Sequence, residues 1–102
     1  MIFSKHYSKL DRDVFTTIRR NTGYYRPAQI IFCQVKGERQ EIKASILSVV
    51  PIKKSEITDA LAQADADCSR TELLAMLTDW YGSACDDYVL IRLRKESSAG
   101  RY

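Results

Sequence analysis

Apolar and polar positions change their period along this chain. Residues 14–19, Val-Phe-Thr-Thr-Ile-Arg, are β-branched and aromatic and predict a strand. Asn21-Thr22-Gly23 is turn chemistry. Pro27 then opens a second extended stretch, Gln29 to Val35, centred on Ile30, Ile31 and Phe32. After the turn Lys36-Gly37-Glu38, residues 41–52 alternate and then become continuously apolar through Val49-Val50. They predict one long strand, bent or buried at its far end, with Pro51 at an edge or bend. Beyond it the period becomes helical. Ser55 is placed to cap a short helix bearing Ile57, Ala60, Leu61 and Ala64 on one face. Ser69-Arg70-Thr71-Glu72 is a capping box ahead of a helix whose apolar face runs from Leu73 to Trp80 and Tyr81, with Gly82 as its stop. Residues 87–95 alternate again and predict a closing strand.

Strands first, helices inserted before the last strand, and a closing strand predict an α+β fold with a mostly antiparallel sheet. With so few helices to cover it, such a sheet tends to curl into a small barrel. The chain has 102 residues, which suits a single domain over 1–96, with 97–102 as a flexible tail.

Composition narrows the function classes. No apolar run approaches a membrane span, and the first residues, Met1-Ile2-Phe3-Ser4-Lys5-His6, lack the pattern of a signal peptide. Cys33, Cys68 and Cys85 are odd in number and widely spaced, which predicts reduced, mostly buried thiols and a cytoplasmic address. With His6 as the single histidine, metal-ligand spacing is absent, and neither a metal nor another cofactor is expected.

Charge falls in blocks. Residues 1–54 hold eleven basic and four acidic residues, and residues 55–87 hold one basic and eight acidic residues. The blocks predict one basic face, suited to phosphates, and one acidic face. The acidic segment 55–87, and its helical part 55–81 in particular, is a candidate surface for a protein partner.

The densest polar cluster is Thr16-Thr17-Ile18-Arg19-Arg20, followed by Tyr24-Tyr25-Arg26. Strand alternation sets Thr17 beside Arg19, a hydroxyl next to a guanidinium. Arginine suits bidentate contact with phosphate or a base edge, and tyrosine offers a stacking surface. Asp65/Asp67 and Asp86/Asp87 fall in predicted loops, where caps and solvated turns are the common use. Trp80 and Tyr81 continue an apolar stripe and read as core.

The order of "FTTIRR", Tyr24-Tyr25-Arg26-Pro27, two strands, "SRTELLAMLTDWYG" and "DDYVLIRLRK" resembles the ASCH domain family, over about residues 2–95. The resemblance implies a PUA-like β-barrel with a cleft between barrel and inserted helices, facing RNA or a nucleoside. Within the family the pattern is most similar to the small bacterial amidohydrolases of N4-acetylcytidine. Some family members are single-strand ribonucleases, a variant of the same enzymatic reading. The family signature Gly-x-Lys-x-x-x-x-Arg, carried over without a gap, puts the arginine on Arg19 and the nucleophilic threonine on Thr17. Its lysine falls on Val14, its glycine on Arg12 and its glutamate on Ala66.

The resemblance therefore implies a module that binds RNA or a modified nucleotide with weak or no amidase activity. Arg19, Arg20, Tyr24, Tyr25, Arg26 and Arg12 would meet the ligand. The alternative is an enzyme with Thr17 as nucleophile, Arg12 in place of the lysine and Asp67 or Asp65 in place of the glutamate.

Overall fold

The structure is a computed structural model that describes residues 1–96. The tail assigned to 97–102 lies outside the described residues. Five strands form one sheet: β1 (Ile2–Phe3), β2 (Val14–Arg20), β3 (Ile30–Val35), β4 (Glu41–Ile52) and β5 (Tyr88–Lys95), in the order β1-β3-β4-β5-β2. All pairings are antiparallel except the short parallel pair β1–β3. Two helices, α1 (Asp59–Ala66) and α2 (Arg70–Tyr81), precede β5, and single 3-10 turns cover Ser8–Asp11 and Lys54–Glu56. The fold is thus the expected mixture of α and β, with the helices inserted before the last strand.

The sheet curls until its two outer strands approach. Phe3 of β1 meets Phe15 of β2 edge to face at 6.3 Å between ring centroids. Arg19 of β2 donates from Nη2 to the Ile2 carbonyl of β1 at 3.1 Å. The result is a half-barrel whose seam is closed by side chains rather than by a backbone ladder. Phe15, Cys33, Val35, Ile46, Ile91 and Leu93 fill its interior. At one end of the outer face, Ile18, Ile52 and Tyr88 are buried along with Ile57, Ala62, Leu73 and Leu77 of the helical segment.

Local chemistry explains most element ends. β4 shifts register between Ile46 and Ser48, so Leu47 is an extra residue that bends the strand. The bend lies at mid-strand and not at the far end, where Val50 and Pro51 are exposed. Ser69 accepts from Glu72 N while Glu72 accepts from Ser69 N, the two halves of the expected capping box. Gly82 ends α2 at φ +90°, a conformation that disfavours any side chain.

Three expectations change. The buried face of α1 is Ala62, Asp65 and Ala66, whereas Ala60 and Ala64 are exposed. Ser55 does not cap α1. It lies in the Lys54–Glu56 turn, and Thr58 takes the cap by accepting from Leu61 N at 3.1 Å. Of the cysteines only Cys33 is buried; Cys68 and Cys85 are half-buried. No helix among the described residues is long and apolar enough to cross a membrane.

Candidate functional site

A cavity of about 280 Å³ opens at the seam between β1 and β2 and is closed below by the two helices. Its walls are mostly apolar: Phe3, Tyr7, Ile18, Leu73, Met76, Leu77, Trp80 and Tyr81. Four charged side chains reach it, Lys9, Arg19, Lys36 and Asp65, along with the hydroxyl residue Thr17. A second hollow of about 580 Å³ lies beside His6, Glu38, Lys43 and Lys95. It is larger, but its charged groups are half-buried or exposed, whereas Thr17, Lys9 and Asp65 at the seam are each at most 5% exposed. Buried polar groups have a desolvation cost and so mark the seam cavity as the candidate site.

Thr17 and Arg19 share one face of β2, as alternation requires. Arg19 Nε donates to Thr17 Oγ1 at 3.2 Å. The same guanidinium is held by the Ile2 carbonyl and lies 4.9 Å from the Phe3 ring centroid. Thr17 oxygen therefore accepts from a fixed cation, and its own proton remains free to donate to a ligand. A cation on this oxygen also favours developing negative charge there.

Lys9 enters from the 3-10 turn. Its Nζ lies 3.1 Å from Asp65 Oδ1 and sits over the rings of Phe3 and Tyr7 at 5.1 and 5.6 Å. Thr16 Oγ1 donates to the same Asp65 oxygen at 3.4 Å. Burial pushes the Lys9 ammonium below the usual lysine range, against the attraction of Asp65. Burial likewise raises the Asp65 carboxyl, with Lys9 opposing it. Both partners are thus shifted toward neutrality, as desolvation demands.

Asp65 and Asp67 have opposite roles, although both belong to one Asp-Ala-Asp stretch. Two residues along an α-helix is a turn of about 200°, so they leave α1 on opposite sides. Asp65 points inward, in a helix and not in the expected loop. Asp67 adopts a left-handed conformation at φ +56°, which aspartate tolerates, and ends the helix. Its carboxylate accepts from Ser8 N at 2.8 Å and from Ser8 Oγ. These bonds hold the Asp67 carboxyl below the usual carboxylate range. Asp67 thereby fixes the turn that delivers Lys9, but it does not line the cavity.

The other sequence candidates are spread more widely. Tyr25 is half-buried and packs edge to face with exposed Tyr24 at 5.3 Å. Burial raises its phenol, which also feels Arg19 and Tyr81 of the cavity. Arg20 is exposed, with its guanidinium 5.9 Å from the Tyr81 ring centroid. Arg26 sits in an exposed turn where its backbone N–H donates to Gln29 Oε1. Arg12 is exposed at the end of the Ser8–Asp11 turn, and Val14 is paired with Arg94, away from the cavity lining. Trp80 is 47% exposed, not core, and meets Tyr81 edge to face at the cavity.

Lys36, read only as turn chemistry, and above all Lys9 are the charged site residues that the sequence pattern did not disclose. For Lys9 the only local signal was its position between Tyr7 and Leu10, both of which are buried. Among the described residues no cluster of three His, Cys, Asp or Glu side chains could hold a metal ion. Comparison of the chain with family models, with curated proteins and with solved structures finds no match.

Proposed function

We propose that the seam cavity binds one modified nucleoside, free or as a unit of RNA. One observation carries the reading: a buried hydroxyl, a pinned guanidinium and a buried lysine–carboxylate pair converge in an apolar cavity of about 280 Å³. Small-molecule sites span ~300–1,000 Å³, so this one suits a single base and its sugar rather than a run of nucleotides. Trp80 and Tyr81 offer ring surfaces to a base, and Arg19 and Lys36 offer positive charge to a carbonyl or phosphate. The resemblance to ASCH domains supports the choice of nucleoside chemistry.

A second reading, amide hydrolysis of N4-acetylcytidine, gains from Lys9. The gap-free comparison left the family's lysine on Val14, but the fold brings a lysine to the cavity from another element. In this reaction Thr17 Oγ1 attacks the acetyl carbon and loses its proton to the Lys9–Asp65 pair. The C–N bond breaks as that proton passes to the departing amine. Water then releases acetate from the threonine ester. A lysine pushed down in pKa by burial is suited to the proton-accepting role.

The acidic segment gives less support to the protein-partner reading. Glu56, Asp59, Asp65, Asp67, Glu72, Asp86 and Asp87 all accept hydrogen bonds within the chain. Asp65 pairs with Lys9, and the charge of the others serves caps and turns.

Calorimetric titration with N4-acetylcytidine and with cytidine tests the binding proposal. Hydrogen bonds to charged groups contribute ~1.5–3 kcal/mol, so Arg19→Gln is expected to weaken binding about 10- to 150-fold. Charge reversal at exposed Asp79 is expected to leave it unchanged. Absence of binding to either nucleoside, or indifference to Arg19→Gln, overturns the assignment.

A further inference from the structure

We propose that the outer face of β3, β4 and β5 is a docking surface for a single strand of nucleic acid, separate from the seam cavity. The helices cover one end of the outer face and leave the rest open. On β3 the outward residues include Ile30 and Phe32, which are 42% and 53% exposed. An aromatic ring half in water on a sheet face is costly to leave bare and is a ready platform for a base. Registration fixes what stands beside it. Phe32 pairs with Lys43, Ile30 pairs with Ser45, Ser45 pairs with Arg94, and Ser48 pairs with Arg92. The leucine bulge at position 47 keeps Ser48, like Ser45, on the face that carries the arginines.

An apolar stripe on β3 therefore lies next to a basic stripe formed by Lys43, Arg92 and Arg94. All three cations are exposed, and none makes a salt bridge among the described residues. Like charges held on neighbouring strands repel unless an anion comes between them. Two exposed acids stand at the Lys43 end of this face, Glu41 opposite Gln34 and Glu96, whose N–H donates to the Lys43 carbonyl, while Arg92 lies at the other end of the stripe.

Charge complementarity selects the occupant. Strands are about 4.8 Å apart, so the two stripes lie within about 5–10 Å of each other. That matches a chain with a phosphate edge and a base edge. Phosphates follow Lys43, Arg94 and Arg92 while a base stacks on Phe32. A duplex hides its base faces and cannot use Phe32. An acidic peptide uses the cations alone.

The test is fluorescence anisotropy of a labelled ten-residue oligouridylate with the full chain at 50 and 200 mM salt. Three phosphate contacts on a single strand give a log–log salt slope of about −2, so affinity is expected to fall roughly 15- to 20-fold over that range. Arg92→Glu or Arg94→Glu is expected to weaken binding and flatten the slope. Lys5→Glu, the same charge change on another surface, is expected to do neither. Phe32→Thr keeps strand propensity and is expected to weaken binding about 5- to 150-fold, with Phe32→Tyr restoring it.

Several outcomes overturn the proposal. One is equal loss from Lys5→Glu, and another is indifference to Phe32→Thr. A third is tighter binding of duplex RNA or polyglutamate. The last is a stable dimer, broken by Phe32→Thr, that binds no oligouridylate. A nucleoside unit held in the cavity adds to the anisotropy of every variant alike, so the dependence on Arg92, Arg94 and Phe32 still reads the sheet face.

Discussion

Lys9 Nζ and Asp65 Oδ1 form a 3.1 Å ion pair whose two side chains are only 3% and 6% exposed. One partner comes from the turn before β2 and the other from the last turn of α1, so the pair ties the helices to the half-barrel. Removing one partner strands a buried charge, at a cost of ~3–5 kcal/mol. Replacing both removes the charge altogether. Urea unfolding is therefore expected to show a loss of that size for Lys9→Met and recovery of most of it in Lys9→Met/Asp65→Leu. At ~4–8 °C per kcal/mol for a domain near this size, the single variant drops in Tm by at least ~12 °C. Equal instability of the double variant would refute coupling of the two charges.

The same pair shows what a linear pattern can disclose. Thr17 and Arg19 were legible because a strand has a period of two, and one strand holds them both. The capping box at Ser69 was legible because its bonds span three residues. Lys9 and Asp65 are 56 positions apart, and only the curl of the sheet brings them together. The sequence pattern places Asp65 in a loop because the helix ends with alternating alanine and aspartate, which carry little apolar periodicity. Trp80 read as core because helical spacing marks a stripe but not its limit. Tyr81 in the last turn of α2 still packs on Tyr88 of β5, whereas Trp80 beside it borders the cavity and stays exposed.

His6 lies between two carboxylates, 2.8 Å from Asp11 Oδ1 and 3.1 Å from Glu38 Oε2. Its hydrogen bonds to Asp11 first and Glu38 second raise the imidazole above its usual 6.5. A raised histidine binds its proton more tightly in the folded state. Its contribution to stability is then complete below pH 6.5 and is lost as pH rises through the folded value. His6 is the single histidine, so proton NMR of its ring reads the titration directly. The midpoint is expected above 6.5, and Asp11→Asn is expected to lower it more than Glu38→Gln does. A midpoint at or below 6.5 would show that the carboxylates leave the ring unaffected.

Asp65 and Asp67 separate the catalytic reading from the structural one. Both were candidates for the acid that an amidase needs, but only Asp65 faces the cavity. General acid–base assistance contributes ~10²–10⁴-fold to rate. If the protein releases cytidine from N4-acetylcytidine, Asp65→Asn is expected to slow it at least ~100-fold. Thr17→Val is expected to abolish turnover and Thr17→Ser to retain it, because serine keeps the hydroxyl that Arg19 holds. Asp67→Asn is expected to leave turnover within a few-fold of wild type, since its carboxylate is spent on Ser8. Its effect belongs to stability instead. The lowered Asp67 carboxyl stabilises the fold above its ordinary range near ~3.9, and that contribution disappears as pH falls through the folded value. Thermal melts of wild type and Asp67→Asn should therefore differ at pH 7 and converge in acid. Turnover that survives Asp65→Asn but not Asp67→Asn would move the proton relay out of the seam cavity. Nucleoside binding without turnover in the wild type would leave the buried pair as a structural anchor beside a binding site.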